Sequence, residues 1–317
     1  MLPLLRLDQR MRWLKPGSGK APRRTMLQVV PTLLLLCAVL AWAAASQWLG
    51  RSPWKGVHDA RQNARLNDKL AGLQPTPPST RQGCAGQRAA RPLVLLALGQ
   101  SNAGNHGAPT PGGSPSVTVM TAGVCTTATD PLPGATGHDG SIWSLLPAAL
   151  TARGLGRPVL LQVLAVEGTT VDDWTRDGSP LRQRLLHTLA ANAATGITPD
   201  LVLWQLGEAD AQANTSASHY ARGLKDLAAV LHGNAVDAPV MLALSTVCRS
   251  GPHAVVRAAT QDVLRQDRRF AAGPDTDATA TRRDGCHFDL VGRQRAAADW
   301  AAAIGRQLEL RPGGGKP

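Results

Sequence analysis

Residues 93–102 read LVLLALGQSN, and this stretch decides the fold. Its unbroken aliphatic run is typical of a strand that is buried on both faces of a parallel sheet. The run stops at Gly99, Gln100, Ser101 and Asn102, and open α/β sheets bind ligands where their strands end. Ser101 is therefore a candidate nucleophile. The alternative is an ordinary strand-to-helix turn in which Ser101 or Asn102 caps the helix.

The segments after this stretch predict one α/β domain. Aliphatic runs alternate with stretches of helical periodicity, which indicates βαβ units around a parallel sheet that has helices on both faces. The predicted strands are residues 92–98, 116–120, 158–166, 200–206 and 239–245. The predicted helices are residues 141–153, 180–194, 218–232, 251–267 and 289–308.

Charge is concentrated at the N-terminus of the 317-residue chain. The formal net charge is +12, and the seven basic residues and one acid before residue 26 account for +6 of it. The rest of the chain has no compact basic stripe with aromatic residues interleaved, so we expect no nucleic-acid partner.

The uncharged segment 26–50 follows this basic head. It is long enough to cross a bilayer as a helix, and the basic residues before it place the N-terminus in the cytoplasm. We therefore expect a membrane-anchored protein whose globular domain is extracytoplasmic (periplasmic if the source is a Gram-negative bacterium). A cleavable signal peptide, cut near residues 43–45, and a secreted product are the alternative.

Composition thus predicts five parts of the chain. They are a basic cytoplasmic segment at 1–25, a transmembrane signal anchor at 26–50, a juxtamembrane helix and Pro-rich linker at 51–90, the globular domain at 91–310 and a disordered tail at 311–317.

Four cysteines lie outside the apolar segment, which holds Cys37. An even number of cysteines in an oxidising compartment predicts two disulfide bonds, for which three pairings are possible. No Cys-x-x-Cys or paired-His spacing is present, so we expect no metal site.

His287 is the candidate general base that would activate Ser101. Asp284 lies three residues before it, and this is the one Asp-x-x-His in the sequence. A carboxylate so placed fixes the tautomer of the imidazole and stabilises the imidazolium. His106 is the second candidate. The N–H groups of Ser101 and Gly168 are expected to stabilise an oxyanion, with a side-chain amide from the loop after the fourth strand as a third donor.

Four motifs together resemble the SGNH hydrolase superfamily and, within it, the sialate O-acetylesterase-like carbohydrate esterases. They are Gly99-Gln100-Ser101-Asn102, Gly168-Thr169, Gly207-Glu208-x-Asp210 and Asp284-x-x-His287. The resemblance spans residues 92–308. It implies a three-layer, flavodoxin-like parallel sheet of order 2-1-3-4-5, a Ser-His-Asp triad that uses no metal or cofactor, and an acetylated saccharide as substrate.

The resemblance also implies a role for each matching residue. Ser101 is the nucleophile, His287 the base, Asp284 its partner, and Gly168 an oxyanion donor. The glutamine that the family carries after its fourth strand falls on Leu206. The candidate third donor is therefore the neighbouring Gln205 or, in its place, Asn102 or Asn105, and weak activity is the remaining alternative. The expected substrate contacts are Gln100, Asn102, Asn105 and Glu208. Glu208 and Asp210 are alternatively carboxylates that brace their loop.

Two further expectations rest on this arrangement. Cys248 follows the fifth strand and Cys286 adjoins His287, so both belong at one sheet edge, which favours Cys248–Cys286 and leaves Cys84–Cys125. The predicted reaction is removal of O-acetyl groups from saccharides through an acetyl-serine intermediate. The alternatives are a glycan O-acetyltransferase that uses the same triad and a non-catalytic, anchored glycan-binding module.

Overall fold

A computed structural model describes residues 24–48, 53–76, 81–82 and 84–309. The predicted basic segment up to residue 23, residues 77–80 of the Pro-rich linker and the predicted tail at 311–317 lie outside the described residues. The described chain falls into two compact units, one ending at Ala60 and one beginning at Arg61. The predicted domain boundaries stay predictions.

The helices and strands alternate along most of the second unit. The helices are α1 (Arg24–Trp48), α2 (Pro53–Ala71), α3 (Ala85–Ala89), α4 (Leu146–Thr151), α5 (Val171–Thr175), α6 (Pro180–Ala193), α7 (Glu208–Gln212), α8 (Ala217–His232), α9 (Ala254–Gln266), α10 (Thr276–Thr279) and α11 (Leu290–Glu309). The strands are β1 (Arg81–Gln82), β2 (Leu93–Gly99), β3 (Val117–Thr121), β4 (Val124–Ala128), β5 (Val159–Ala165), β6 (Leu201–Gln205), β7 (Val240–Leu244) and β8 (Phe270–Asp275).

These strands form one mixed sheet of order β1-β4-β3-β5-β2-β6-β7-β8. Strand β4 is antiparallel to both of its neighbours, and the remaining neighbours pair in parallel. The predicted parallel sheet of order 2-1-3-4-5 is therefore wrong. Strand β5 lies between β2 and β3, and β1, β4 and β8 are strands that the sequence analysis did not assign.

A tight turn explains the antiparallel strand. Ala122 and Gly123 join β3 to β4, and both have positive φ, of 47° and 78°. Two-residue turns of this kind return the chain directly into an antiparallel partner. The turn signal was missed because alanine, unlike glycine or asparagine, rarely adopts this conformation.

Apolar side chains fill both faces of the sheet. All seven residues of β2 are buried, and they alternate between the two faces. Leu93, Leu95 and Ala97 pack in a cluster with Trp300 of α11, whereas Leu96 and Leu98 pack in a second cluster with residues of α6, α8 and α9. This double coverage fixes β2 in the sheet and so fixes the turn that follows it.

The predicted transmembrane anchor is wrong. Among the residues that the structure describes, no helix is long and apolar enough to span a membrane. Helix α1 covers most of the apolar segment and contains Pro31.

Candidate active site

Ser101 lies directly beyond the end of β2. Strands β2 and β6 approach so closely here that a Cβ on Gly99 would lie 2.1 Å from the carbonyl oxygen of Gln205, so only glycine fits. A single 3-10 turn, Ser101–Ala103, follows. Ser101 is 4% exposed. The strand end thus holds a serine in a fixed and largely buried position.

His287 and Asp284 form the predicted pair. Nδ1 of His287 lies 2.7 Å from Oδ2 of Asp284, and Oδ1 of Asp284 accepts hydrogen bonds from the N–H groups of Cys286 and His287. An ionised carboxylate only accepts hydrogen bonds, so Nδ1 carries the proton and Nε2 is left as a proton acceptor.

The charge of Asp284 is stabilised by these contacts. Desolvation acts to raise the pKa of Asp284, but the hydrogen bonds from His287 and Cys286 outweigh it and hold the pKa well below its usual range. Asp284 therefore stays ionised at neutral pH and can orient the ring.

Asn102 connects the serine turn to the loop that carries His287. Its Nδ2 donates to the carbonyl oxygen of Cys286 at 3.0 Å, and its Oδ1 accepts from the N–H of Phe288 at 3.2 Å. Asn102 thus bonds to both neighbours of His287. Sequence analysis predicted Asn102 as a substrate contact, but the structure uses both ends of its amide within the protein.

Glu208 supports Asn102 from behind. Its Oε1 accepts from Nδ2 of Asn102 at 2.8 Å and from Oγ of Ser245 at 2.7 Å. Glu208 is fully buried, and this desolvation raises its pKa to about 7. Its Oε2 is also buried and has no hydrogen-bond partner among the described residues.

Asp210 braces a neighbouring loop. Oδ2 of Asp210 accepts from the N–H of Val171, at the start of α5, and Oδ1 accepts from Oγ1 of Thr215. Burial raises the pKa of Asp210 to about 7. These contacts agree with the loop-bracing alternative for Asp210.

Two backbone N–H groups remain available at the ends of adjacent strands. Gly99 of β2 is in register with Ala165 of β5, so the turns that hold Ser101 and Gly168 begin side by side. Gly168 has a left-handed φ of 55°. Within the described part of the chain, neither the N–H of Ser101 nor that of Gly168 donates to a protein acceptor. Both are free to bind a developing oxyanion.

Gln205 is not available as the third donor. Its Nε2 donates both hydrogens within the core, to Ser245 and Thr276, and its Oε1 accepts from Nε1 of Trp300. Leu206 is also buried, in the apolar cluster on the other face of the sheet. The contacts of Gln205 thus contradict its predicted donor role. Side chains alternate between faces along β6, so Gln205 and Leu206 are buried on opposite faces of the sheet.

Two other predicted substrate contacts are also used inside the protein. Oε1 of Gln100 accepts from the N–H of Ala209. Nδ2 of Asn105 donates to the carbonyl oxygen of Leu132, whose N–H donates back to Oδ1 of Asn105. Gln100 and Asn105 are buried, at 2% and 0% exposed. Their geometry is that of loop scaffolding around the site.

His106, the second candidate base, lies beside His287. The two rings stack with centroids 5.4 Å apart. Nε2 of His106 lies 3.2 Å from Oγ1 of Thr136 and 3.5 Å from a carboxylate oxygen of Glu167. Burial lowers the pKa of His106, although Glu167 acts to raise it. The sequence analysis missed Thr136, whose hydroxyl also accepts from the N–H of Glu167, because no motif surrounds it.

A disulfide bond anchors the loop of the candidate base. Cys248 and Cys286 are joined, as are Cys84 and Cys125, so both predicted pairings are confirmed. Cys286 is adjacent to His287, so the bond ties this loop to the segment after β7. No cluster of His, Cys, Asp or Glu side chains suited to a metal ion is found in the ranges that the structure describes.

One comparison with known protein families bears on this site. The sequence profile of the family described as carbohydrate esterase, sialic acid-specific acetylesterase, matches residues 146–305, half of the chain. This range includes Gly168, Glu208, Asp284 and His287, whereas Ser101 precedes it. No curated protein matches the chain in a sequence search.

Two solved structures are similar in fold. A protein from Arabidopsis thaliana has a TM-score of 0.55 and 18% sequence identity, and the alignment covers 68% of this chain and 98% of that one. NanS has a TM-score of 0.50 and 15% identity, with 69% of this chain and 98% of that one covered. At these identities the likeness concerns the fold.

Proposed function

Since the chain belongs to the carbohydrate esterases of the sialic acid-specific acetylesterase family, and is a carboxylic ester hydrolase that acts on O-acetyl groups of saccharides, we propose that Ser101 carries the acetyl group during the reaction. One observation carries this proposal. Asn102, the residue after Ser101, hydrogen-bonds to both neighbours of His287. The serine turn is thereby joined to the loop that carries the Asp284-oriented imidazole.

The proposed reaction has two steps. In the first, Nε2 of His287 takes the Oγ proton of Ser101 as Oγ attacks the acetyl carbonyl carbon, and the N–H groups of Ser101 and Gly168 bind the oxyanion. The ester C–O bond then breaks, and His287 returns the proton to the sugar oxygen. In the second, water loses a proton to His287 and attacks acetyl-Ser101; the bond between Oγ and the acyl carbon breaks, His287 returns the proton to Oγ, and acetate leaves.

The test compares Ser101→Ala with Ser116→Ala, which changes an exposed serine outside the site. Acetate release is measured on O-acetylated sialic acid and on acetylated neutral sugars, and labelling is measured with a serine-directed phosphonate probe. We expect Ser116→Ala to hydrolyse esters and take the label like the wild type, and Ser101→Ala to do neither.

Other outcomes would overturn the proposal. Acetate release by Ser101→Ala at the wild-type rate would exclude an acetyl-Ser101 intermediate. Transfer of acetyl to a sugar acceptor without acetate release would assign an acetyltransferase. Sugar binding without turnover or labelling, unchanged in Ser101→Ala, would assign a binding module.

We also propose that the enzyme works in an oxidising compartment outside the cytoplasm. The two disulfide bonds support this location, since such bonds are rare where thiols are kept reduced. In intact cells of the source organism, Cys84, Cys125, Cys248 and Cys286 are expected to resist alkylation until a reductant is added. Ready alkylation without reductant would contradict the location.

A further inference from the structure

Lys69, in the last turn of α2, contacts the loop that contains Gly168. Its Nζ donates to the carbonyl oxygens of Glu167 at 2.6 Å and Gly168 at 3.0 Å. The guanidinium of Arg65, one turn earlier on α2, donates to the same Gly168 oxygen at 3.3 Å. Lys69 lies 99 residues before Gly168 in the chain, and it is outside the matched family range.

These contacts fix the direction of one peptide group. In a trans peptide the C=O and the following N–H lie in one plane and point in opposite directions. When Lys69 holds the Glu167 carbonyl on one side, the N–H of Gly168 must point to the other side. The N–H of Glu167 is held in turn by Oγ1 of Thr136 at 2.9 Å, so the loop is fixed on both sides of this residue.

The direction matters because Gly168 has no side chain to hold its backbone in place. Glycine populates positive and negative φ about equally, so a φ of 55° at Gly168 is not fixed by local sterics. Electrostatic stabilisation of an oxyanion requires donors that are oriented before the reaction begins. An external contact must therefore supply the orientation.

We propose that Lys69 is a positioning residue of the oxyanion hole, whose ammonium group holds the Glu167 carbonyl and so aims the N–H of Gly168 at the reacting acetyl oxygen. This inference rests on the proposed function of the same site. The positive charge on the carbonyl side also polarises the peptide, which strengthens its N–H as a donor. Lys69 itself does not touch the substrate.

The charges around Lys69 give the proposal a pH signature. The groups that face it are Arg65 on its own helix, Glu167 in the held loop and Asp173 on α5. Burial and Arg65 lower the pKa of Lys69, and the two carboxylates only partly offset this. Lys69 therefore loses its proton at a lower pH than an ordinary lysine, and the hold on the Glu167 carbonyl weakens there.

The experiment compares Lys69→Met, Lys69→Arg and the matched control Lys225→Met, which changes an exposed lysine on α8. In Lys69→Met we expect kcat for acetate release to fall about 10- to 100-fold and KM to stay nearly unchanged. This fall does not exceed the fall in kcat that follows removal of a whole oxyanion donor. Deprotonation of Lys69 should make kcat of the wild type decline at alkaline pH, and this decline is expected to disappear in Lys69→Met.

Lys69→Arg keeps the charge and the donors. It is expected to recover most of the wild-type kcat and to shift the alkaline decline to higher pH, because an arginine stays protonated there. Lys225→Met is expected to match the wild type. The arginine variant keeps the test decisive even if Lys69→Met folds poorly.

Two results would overturn the inference alone. One is a kcat and pH profile in Lys69→Met equal to the wild type; the other is an alkaline decline that stays at the wild-type pH in Lys69→Arg. In both cases the phosphonate probe would still label Ser101. Failure of the proposed function gives a different result, since there the wild type itself would not be labelled at Ser101.

Discussion

Asp284 determines which nitrogen of His287 is free to act as a base. Its Oδ2 faces Nδ1 of His287 at 2.7 Å, and its Oδ1 is held by two backbone N–H groups. The carboxylate is thus fixed independently of the ring that it orients. A change in its charge alone can be made without removing these backbone contacts.

We predict that Asp284→Asn lowers kcat for acetate release by about 10³- to 10⁴-fold, as a wrong tautomer does in other Ser-His-Asp sites. Oδ1 of the asparagine still accepts from the backbone, but its NH₂ faces Nδ1 and places the ring proton on Nε2. Steady-state kinetics measures the effect, and thermal unfolding measures the stability that is lost with the charge of Asp284. A kcat within tenfold of the wild type would contradict the role of Asp284.

Glu208 links protonation to stability. Its pKa rises to about 7 in the folded protein, from about 4.5 for a free carboxyl group. The folded state therefore binds more protons than the unfolded state between these values, so stability falls as pH rises from about 4.5 to 7. The pKa shift corresponds to about 3 kcal/mol of unfolding free energy for this one buried group.

We predict that Glu208→Gln reduces this loss of stability. The variant keeps an oxygen that accepts from Asn102 and Ser245 but has no charge to bury. Urea unfolding at pH 5 and pH 7 measures the difference, and Asp210→Asn is the companion variant because burial raises the pKa of Asp210 to about 7 as well. An unchanged difference between the two pH values in Glu208→Gln would show that Glu208 is not the titrating group.

At the scale of elements, the two disulfide bonds close loops of nearly equal length at different places. Cys84–Cys125 spans 41 residues and connects the start of α3 to β4, whereas Cys248–Cys286 spans 38 residues and holds the loop of His287. The chain-entropy model predicts about 4 kcal/mol from either one. Their effects on stability should thus be similar and their effects on catalysis different.

We predict that replacing either pair by serines lowers the unfolding free energy by a similar amount. Only the Cys248→Ser, Cys286→Ser variant should also lose kcat, because it frees the loop that positions His287. Urea unfolding and acetate release on both double variants test this. Equal kcat losses in the two variants would show that the Cys248–Cys286 bond has no special part in placing the base.

The elements also show why sequence predicted only part of the site. Asp284 and His287 are three residues apart, so their pairing is local and was predictable from spacing. The place of β5 between β2 and β3 depends on contacts between segments far apart in the chain. The same holds for Gln205, whose partners Ser245 and Thr276 follow it by 40 and 71 residues. Distant partners leave no pattern in a single sequence.

At the scale of the molecule, contacts of the site extend before its predicted domain start at residue 91. Gln62 donates to Asp173 of α5, Gln74 donates to the carbonyl oxygen of Gly137, and Lys69 contacts the Gly168 loop. The second compact unit begins at Arg61, so it includes all three. These contacts could not be predicted from the sequence, because polar side chains that bond to distant loops show no periodicity.

We predict that a chain beginning at Arg61 hydrolyses acetyl esters like the full chain. A chain beginning at Arg91 should unfold at lower urea concentration, since it lacks the disulfide partner of Cys125, and its kcat should fall because Lys69 is missing. Both truncations are compared with the full chain by urea unfolding and acetate release. Full activity and stability in the chain from Arg91 would show that residues 61–90 are a passive linker.

The bond from the N–H of Phe288 to Oδ1 of Asn102 has a consequence for observing the enzyme at work. It joins residues 186 apart and lies buried between the serine turn and the histidine loop. Exchange of this amide proton with deuterium requires the two segments to separate. The exchange rate of the Phe288 amide proton therefore reports how often these two segments separate. It can be measured without changing any catalytic side chain.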